Sequence, residues 1–370
     1  MFIYLLINSY GKGGAESANV HLANGLSSLG VTVHLLILKG TSKPYGMDER
    51  VIVHTLNLDG VSARHVCSSK HPAVRKVEGV IAKTRADLSA GNSFVVIASL
   101  PLANKISFFL DPLKVFYWLH FPVSCSDLRG RNWFRRLYRK RRLKKLFSGR
   151  SIICPSMGVL KDFGSLFDEN ICRKADFIYN PVDISRVSAL SLNVSHSLGV
   201  QRTIFLHAGR FVHLKRHDRL LHAFKLFLEE THAEVDLVCI GDGPLLNENI
   251  KLAGVLGLQE RIHFLGFLKN PFPLMASAKA LILSSDFEAF GMVLVEALSL
   301  GTPCVSTNCP TGPEEILVGE LSNFLTEMNP ESLADGMRRV WENPPDVSGY
   351  DFSRFDPKVV AQQYIDFLQE

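Results

Sequence analysis

Ala280-Leu-Ile-Leu-Ser-Ser-Asp-Phe-Glu288-Ala-Phe-Gly291-Met-Val-Leu-Val-Glu296-Ala-Leu-Ser-Leu-Gly301-Thr-Pro303 is the stretch from which the rest of the chain can be read. Its first four residues form a short apolar run of the kind that parallel sheets bury on both faces. From Gly291 onward the apolar residues fall at Val293, Leu294, Ala297 and Leu300, a helical spacing. The pattern predicts a strand, a loop and a helix. Glu288 then lies on the loop, and Glu296 lies about a turn and a half into the helix. The first N–H groups of a helix have no partner inside it, so residues 290 to 293 offer donors to an anion. A carboxylate near a helix start can also act only as a favourable N-terminal charge. Two carboxylates flanking Phe290-Gly291 favour a site that holds phosphates and sugar hydroxyls together.

Composition narrows the class. The chain has 370 residues, a length that suits two domains, and 46% apolar against 21% charged residues, as in ordinary globular proteins. The seven cysteines form no C-x-x-C pair and are odd in number. This speaks against a disulfide framework or a zinc site and for a reducing compartment. Phe2 to Ile7 has no basic start and is short for a signal peptide, and no apolar run approaches the roughly 18 residues that span a bilayer. The expectation is a soluble, cytoplasmic protein. Its net charge of +5 is unevenly spread: residues 129 to 150 carry eleven Lys and Arg and no acid, so the remainder is net acidic. A concentrated basic segment suits an anionic surface or substrate.

The N-terminal half alternates apolar runs with helical periods. Strands are predicted at Phe2–Ile7, Val31–Leu38, Phe94–Leu100, Val115–Leu119 and Ser151–Cys154. A helix carrying Ala15, Ala18, Leu22, Leu26 and Leu29 separates the first two. Such βαβ order means a parallel sheet covered by helices. Residues 40 to 75 show no clear pattern. Asn180-Pro-Val-Asp183, with the Ser-rich stretch to Ser197, reads as an interdomain linker. The alternation then restarts, with strands at Thr203–His207, Val235–Ile240, Ile262–Leu265, Ala280–Leu283 and Pro303–Ser306. Two α/β domains in tandem follow. Ligands of such sheets bind beyond the carboxyl ends of the strands, which places the expected site in a cleft between the domains.

Three loops of the second domain point the same way. Gly209-Arg210-Phe-Val-His-Leu-Lys215 follows one strand, and two cations there suit a diphosphate. Ile240-Gly-Asp-Gly-Pro244 follows the next, and the Glu288 loop follows a third. In the first domain, Asn8-Ser-Tyr-Gly11-Lys-Gly13-Gly14-Ala-Glu16 follows the first strand. Glu16 occupies the third glycine position of a dinucleotide fingerprint, and Leu38-Lys39-Gly40 lacks the acidic residue expected for a ribose, so NAD is disfavoured.

With these pieces in order, the chain resembles the retaining glycosyltransferases of family 4, which have the GT-B fold: two Rossmann-like domains whose parallel sheets face a central cleft. The resemblance rests on Gly209-Arg210…Lys215, Gly241-Asp-Gly-Pro244, Phe264-Leu-Gly-Phe267, Glu288-Ala-Phe-Gly-Met…Glu296-Ala, Gly301-Thr-Pro303 and the N-terminal Gly13-Gly14-Ala-Glu16. It is strong from 203 to 316 and looser before. Alanine at 289 and cysteine at 304 replace the family's usual Gly and Val. The resemblance implies residues 1–182 as an acceptor-side domain and 183–352 as a nucleotide-sugar domain. It also implies that the helix within 353–370 crosses back to the first.

By the same resemblance Arg210 and Lys215 bind the donor diphosphate, which lets the fold work without a metal or other cofactor. Backbone N–H groups at Gly291 and Met292 share the phosphates. Glu288 touches the donor sugar, and Glu296 accepts from ribose hydroxyls. Gly241 belongs to a loop at the same edge, and Phe267 lies near the base. Gly14 approaches a phosphate or the acceptor. His120, in Tyr117-Trp-Leu-His-Phe-Pro122, matches the family's active-site histidine, although such a residue is as readily a core histidine. The nucleotide implied is UDP. Cys309-Pro-Thr-Gly-Pro-Glu-Glu315 resembles loops of polysaccharide-building members.

The basic segment is two-faced. At about 100° per residue, Trp133, Phe134, Leu137 and Tyr138 fall on one side of a helix, and Leu143, Leu146 and Phe147 roughly opposite. The second group is expected to pack on the sheet. The first, flanked by Arg, suits a lipid headgroup layer or else a solvated face. No nucleic-acid motif accompanies it, so nucleic acid is not an expected partner. The sequence reading is therefore a transferase moving sugar from a nucleotide-sugar to a glycan or lipid-linked acceptor, on or near the inner membrane face. A nucleotide-sugar 2-epimerase and a non-catalytic sugar- or membrane-binding protein stay open beside it.

Overall fold

The computed structural model describes residues 1–11, 13–40, 44, 46–86, 93–128, 130, 132–193 and 202–369. The chain divides into two compact units, one made of Met1–Pro181 and Ser353–Glu370, the other of Val182–Phe352. The first begins with β1 (Phe2–Ser9), α1 (Gly14–Ser28), β2 (Thr32–Lys39), β3 (Ile52–Thr55), α2 (Pro72–Ala86), β4 (Phe94–Ser99) and α3 (Pro101–Ser107). It continues through β5 (Val115–Trp118), α4 (Trp133–Phe147), β6 (Ser151–Cys154), α5 (Met157–Leu166) and β7 (Lys174–Phe177). The second unit holds α6 (Ile184–Ser191), β8 (Thr203–Ala208), α7 (His217–Thr231), β9 (Val235–Ile240), α8 (Leu246–Val255), β10 (Ile262–Gly266) and α9 (Phe272–Ser277). It closes with β11 (Ala280–Leu283), α10 (Met292–Ser299), β12 (Cys304–Thr307), α11 (Pro313–Ile316), β13 (Leu325–Thr326) and α12 (Pro330–Glu342). The last helix, α13 (Pro357–Gln369), belongs to the first unit.

In the first unit the strand order is β3-β2-β1-β4-β5-β6-β7, with every pair parallel. Phe2 to Ile7 are all buried, as a central strand covered on both faces requires. The chain steps from β1 outward to β3, then crosses to the other side with β4. This reversal makes the β1/β4 edge the topological switch point, where open α/β sheets take their ligands. Asn8 ties that edge together: its Oδ1 accepts from the N–H groups of Leu102 (3.1 Å) and Ala103 (2.9 Å) at the start of α3. On the same unit α13 lies against α1. A Cβ at Gly25 would fall 2.1 Å from the Pro357 carbonyl oxygen, so only glycine permits this approach. Tyr364 and Phe367 of α13 then pack on Trp118 and Phe116 of β5.

Helix α4 divides as its periodicity predicts. Asn132 caps it, accepting from the Arg135 N–H at 3.0 Å. Leu143 and Phe147 are buried, and the Phe147 ring meets Tyr117, Phe163 and Phe167. Trp133, Phe134, Leu137 and Tyr138 are 41–65% exposed, with the first two rings stacked at 3.7 Å. Arg129 and Arg131 of the basic segment lie outside the described residues.

The second sheet runs β10-β9-β8-β11-β12-β13, again parallel throughout. Its core joins Phe205, Leu237, Cys239, Ile282 and Val305 from the strands to Phe224 and Phe227 of α7, Ala253 of α8, and Leu333 and Met337 of α12. The chain again builds one side first and then reverses, so the switch point falls between β8 and β11. One expectation is corrected. Past Asp183 the predicted linker is helix α6 rather than irregular chain, because Asp183 caps it by accepting from the Arg186 N–H at 3.0 Å and Val187 is buried. Residues 194–197 of that stretch lie outside the described residues.

Candidate functional site

The site is built where β8 and β11 end. After β8 the chain turns at Gly209, and three loop ends are laced together by backbone bonds. Gly209 donates to the Ile240 carbonyl (3.0 Å), Phe211 to that of Asp242 (3.1 Å), and Gly241 to that of Gly266 (2.8 Å). Such closeness excludes side chains. A Cβ at Gly241 would lie 1.9 Å from the Gly209 oxygen, and one at Gly243 would lie 2.5 Å from the Phe211 oxygen. Arg210 stands exposed on this lacing, and Phe267 is exposed just past β10. No side-chain ion pair of Arg210 is found among the described residues.

A short helical turn, His213–Lys215, brings the chain to Arg216, whose φ of +48° reverses it into α7. This turn is bonded to the loop after β11 at two points. The Asp286 N–H donates to the Leu214 carbonyl and the Ser284 hydroxyl to the Lys215 carbonyl, both at 2.8 Å. Buried Arg219 fastens the same loop from beneath, donating to the Ser284 carbonyl (2.8 Å) and the Asp286 carboxylate (2.8 Å). Two polar loops are thereby fixed against each other at the switch point.

Lys215 and Glu288 meet there. Lys215 Nζ donates to Glu288 Oε1 at 2.5 Å, and the Ser285 hydroxyl donates to the same oxygen at 2.6 Å. The Glu288 side chain is 10% exposed and that of Lys215 21%, so the pair is mostly withdrawn from water yet open on one side. Beneath it lie His207 and His217, buried and stacked edge to face with centroids 4.6 Å apart. Burial pushes them down to about 4 and about 2, so both are neutral imidazoles under a cation that disfavours their protonation.

Helix α10 starts beside Glu288. Gly291, at φ +95°, precedes it without any side-chain cap, and Met292 and Val293 are its first residues. Their N–H groups have no carbonyl four residues back within the helix and supply the positive end of its dipole. Glu296 lies one turn further on. Burial pushes its carboxyl up to about 7, so near neutrality it changes between donating and accepting hydrogen bonds.

Gly14 and His120 belong to the other unit, both at the carboxyl-end edge of its sheet. Gly14 opens α1, and Glu16 folds back over the turn before it: a Cβ at Gly13 would meet its carboxylate at 2.5 Å. His120 follows β5, buried with its ring 4.5 Å from that of Trp118. Burial pushes it down to about 3, and its Nε2 has no partner among the described residues. It is a neutral imidazole, not a standing charge.

The structure thus joins Lys215 directly to Glu288. It sets Arg210, Gly241 and Phe267 on one laced edge, and Gly291, Met292 and Glu296 on one helix. The sequence reading missed Ser285, Asp286, Arg219, Thr307 and Thr311. Thr307 donates to the Ser285 carbonyl at 2.7 Å, and Thr311 donates to that of Glu288. The available signal was the run of small hydroxyl residues directly after apolar strands, at Ser284-Ser285 and Ser306-Thr307.

Residues 193–350 match the family model described as Glycosyl transferases group 1, and residues 12–186 match that of Glycosyltransferase Family 4. Between them the two models span most of the chain, which resembles the group 1 glycosyltransferases with a family 4-like N-terminal half. Its fold is that of the GT-B glycosyltransferases. HepE of Anabaena, solved in complex with UDP and glucose, superposes with a TM-score of 0.79 at 21% identity, covering 100% of this chain and 99% of that one. Two curated relatives are similar over part of the chain. One is the N-acetylgalactosamine-N,N'-diacetylbacillosaminyl-diphospho-undecaprenol 4-alpha-N-acetylgalactosaminyltransferase of Campylobacter jejuni, 27% identical over 220 residues and 59% of this chain. The other is the lipopolysaccharide 1,6-galactosyltransferase of Salmonella typhimurium, 32% identical over 154 residues and 40% of this chain. The chain spans 58% and 40% of the length of these two relatives.

Proposed function

We propose that the protein transfers a sugar from a UDP-sugar, with retention and without a metal, to a glycan or lipid-linked acceptor in polysaccharide or lipopolysaccharide assembly. The observation that carries this reading is the Lys215–Glu288 contact at the switch point, beside the uncapped start of α10. A diphosphate placed there finds Lys215, Arg210 and the first N–H groups of the helix. A sugar beyond it finds the Glu288 carboxylate, and a ribose finds Glu296. Lys215 and Arg210 supply the positive charge that a departing diphosphate needs, the role a metal ion plays elsewhere. The relatives named above act on lipid-linked or lipopolysaccharide glycans, which favours an acceptor of that kind. The roles given to Gly14 and His120 belong to the same proposal.

A nucleotide and nucleotide-sugar panel screened by thermal shift tests it. A donor that binds the native state raises Tm by mass action. UDP and one or more UDP-sugars are expected to do so, more at pH 8 than at pH 6, because ionised Glu296 accepts from both ribose hydroxyls. Conversion of a UDP-sugar to its epimer without any acceptor would turn the reading towards an epimerase. No response to any uridine nucleotide would sink the donor assignment.

The exposed side of α4 supports a peripheral position on an anionic membrane, cytoplasmic in the proposed setting. Four large apolar side chains stand beside Arg135, Arg136, Arg139 and Arg142, and a cation near an anionic surface contributes about 1 kcal/mol. No helix among the described residues is long and apolar enough to cross a membrane. Changing those four arginines to glutamine is expected to weaken binding to phosphatidylglycerol-containing vesicles on the order of 1,000-fold at low salt. Sedimentation with vesicles measures it. Equal binding by the variant would leave α4 as a solvated face.

A further inference from the structure

Thr311 has φ +79° although it is β-branched, and it is buried. Branched residues avoid this region, and such a conformation persists only where its surroundings over-determine it. Here the surroundings are the Glu288 turn itself. The Thr311 hydroxyl donates to the Glu288 carbonyl. Gly312, at φ +89°, lies so close to the same turn that a Cβ would meet the Phe290 carbonyl oxygen at 2.4 Å. At its other end the loop is held by Asn308 donating to Thr326 (2.7 Å) and Cys309 to Thr307 (2.8 Å). Glu288 is therefore gripped at both ends, its carboxylate by Lys215 and Ser285 and its carbonyl by Thr311.

We propose that Thr311 is a positioning residue for Glu288: its strained backbone aims the hydroxyl at the Glu288 carbonyl and fixes the direction from which the carboxylate meets the donor sugar. This rests on the reading of the site as a nucleotide-sugar site. The loop from Asn308 to Pro313 then acts on the sugar end of the donor through Glu288 and leaves the nucleotide end alone. A substitution at Thr311 should separate the two, lowering kcat with UDP affinity intact.

Three variants test it. Thr311→Ser keeps the hydroxyl, Thr311→Val keeps the branched shape without it, and Thr311→Gly removes hydroxyl and strain together. The measurements are kcat and KM for the donor, the UDP Kd by calorimetry, and the rate at which acetic anhydride modifies Lys215, read by mass spectrometry. Thr311→Val and Thr311→Gly are expected to lose about 100-fold in kcat, the scale of a small misplacement of a contacting group. UDP Kd should stay within about threefold. Thr311→Ser should keep near-normal turnover, and Thr311→Gly, freed of strain, should melt no lower than Thr311→Val. Lys215 should react several-fold faster in Thr311→Val and Thr311→Gly, because Glu288 no longer faces it squarely. Where turnover is measurable, kcat decides: wild-type kcat in Thr311→Val, or an equal loss in Thr311→Ser, overturns the proposal. Where the wild type binds no uridine nucleotide, the nucleotide-sugar reading fails by itself. Lys215 reactivity then decides, and an unchanged rate in Thr311→Val overturns the positioning role.

Discussion

Replacing Lys215 by alanine should cut sugar transfer about 100- to 1,000-fold, the usual consequence of removing one donor aimed at developing charge. In the proposed reaction the leaving diphosphate gains negative charge as the glycosidic bond breaks, and Lys215 is the cation held against Glu288, the carboxylate proposed to contact the sugar. Its placement is built in advance. The turn carrying it is bonded to the Asp286 N–H and the Ser284 hydroxyl, so no loop has to be ordered during reaction. The variant also has a structural cost that must be separated from the catalytic one. Without Lys215, the largely buried Glu288 carboxylate keeps Ser285 as its side-chain donor among the described residues. Breaking a fully buried pair costs about 3–5 kcal/mol. The partial exposure of Lys215 brings the expected loss below that range. Adding Glu288→Gln removes the stranded charge, so the double variant should regain Tm but not turnover. Lys215→Arg keeps the charge with a different geometry and should recover part of the rate. Turnover within about threefold of wild type in Lys215→Ala, measured at saturating donor, would sink the diphosphate assignment.

How legible the chain is depends on where each element sits. Every strand with two sheet neighbours appears in the sequence as an apolar run, because burial on both faces leaves no room for alternation. The strands that went unread are β3 (Ile-Val-His-Thr), β7 (Lys-Ala-Asp-Phe) and β13 (Leu-Thr). All three are edge strands, partly open to water, and their residues carry no continuous apolar signal. Helix α6 was hidden for another reason: three serines and an arginine interrupt its four apolar residues, and only the Asp183 cap announces it. At the candidate site, the charged residues stood out because loops after buried strands rarely carry Arg210, Lys215 and Glu288 together, with Glu296 in the helix that follows. What holds them was not. The contacts from Arg219 to Asp286, from Thr307 to Ser285 and from Thr311 to Glu288 join residues 20 to 70 positions apart. Only the parallel sheet, with β11 between β8 and β12, brings them into reach.

Gly241→Ala is expected to be among the most destabilising single changes in the second unit. The new methyl would lie 1.9 Å from the Gly209 carbonyl oxygen, a backbone atom that cannot swing aside as a side chain would. The residue also sits at φ +136°, a region that alanine avoids. Forcing a side chain into such a backbone conformation costs about 1–3 kcal/mol. Overpacking typically adds about 1–3 kcal/mol more. A total near 4 kcal/mol lowers Tm by roughly 10 °C in a domain of this size. Gly257→Ala serves as the control. Its φ of +73° is also unfavourable, but nothing lies within 4 Å of the added carbon, so only the backbone cost of about 1 kcal/mol remains. The difference between the two variants isolates the contact from the conformation. The consequence reaches function because the chain can relieve the clash only by parting Gly209 from Gly241. That movement breaks the lacing through Phe211 and Asp242 and carries Arg210 away from the edge it shares with Lys215. Calorimetric Tm, read together with UDP affinity, measures both effects. A Gly241→Ala protein that melts with the Gly257→Ala control and binds UDP normally would show that the laced edge gives way without cost, and that Arg210 does not depend on it.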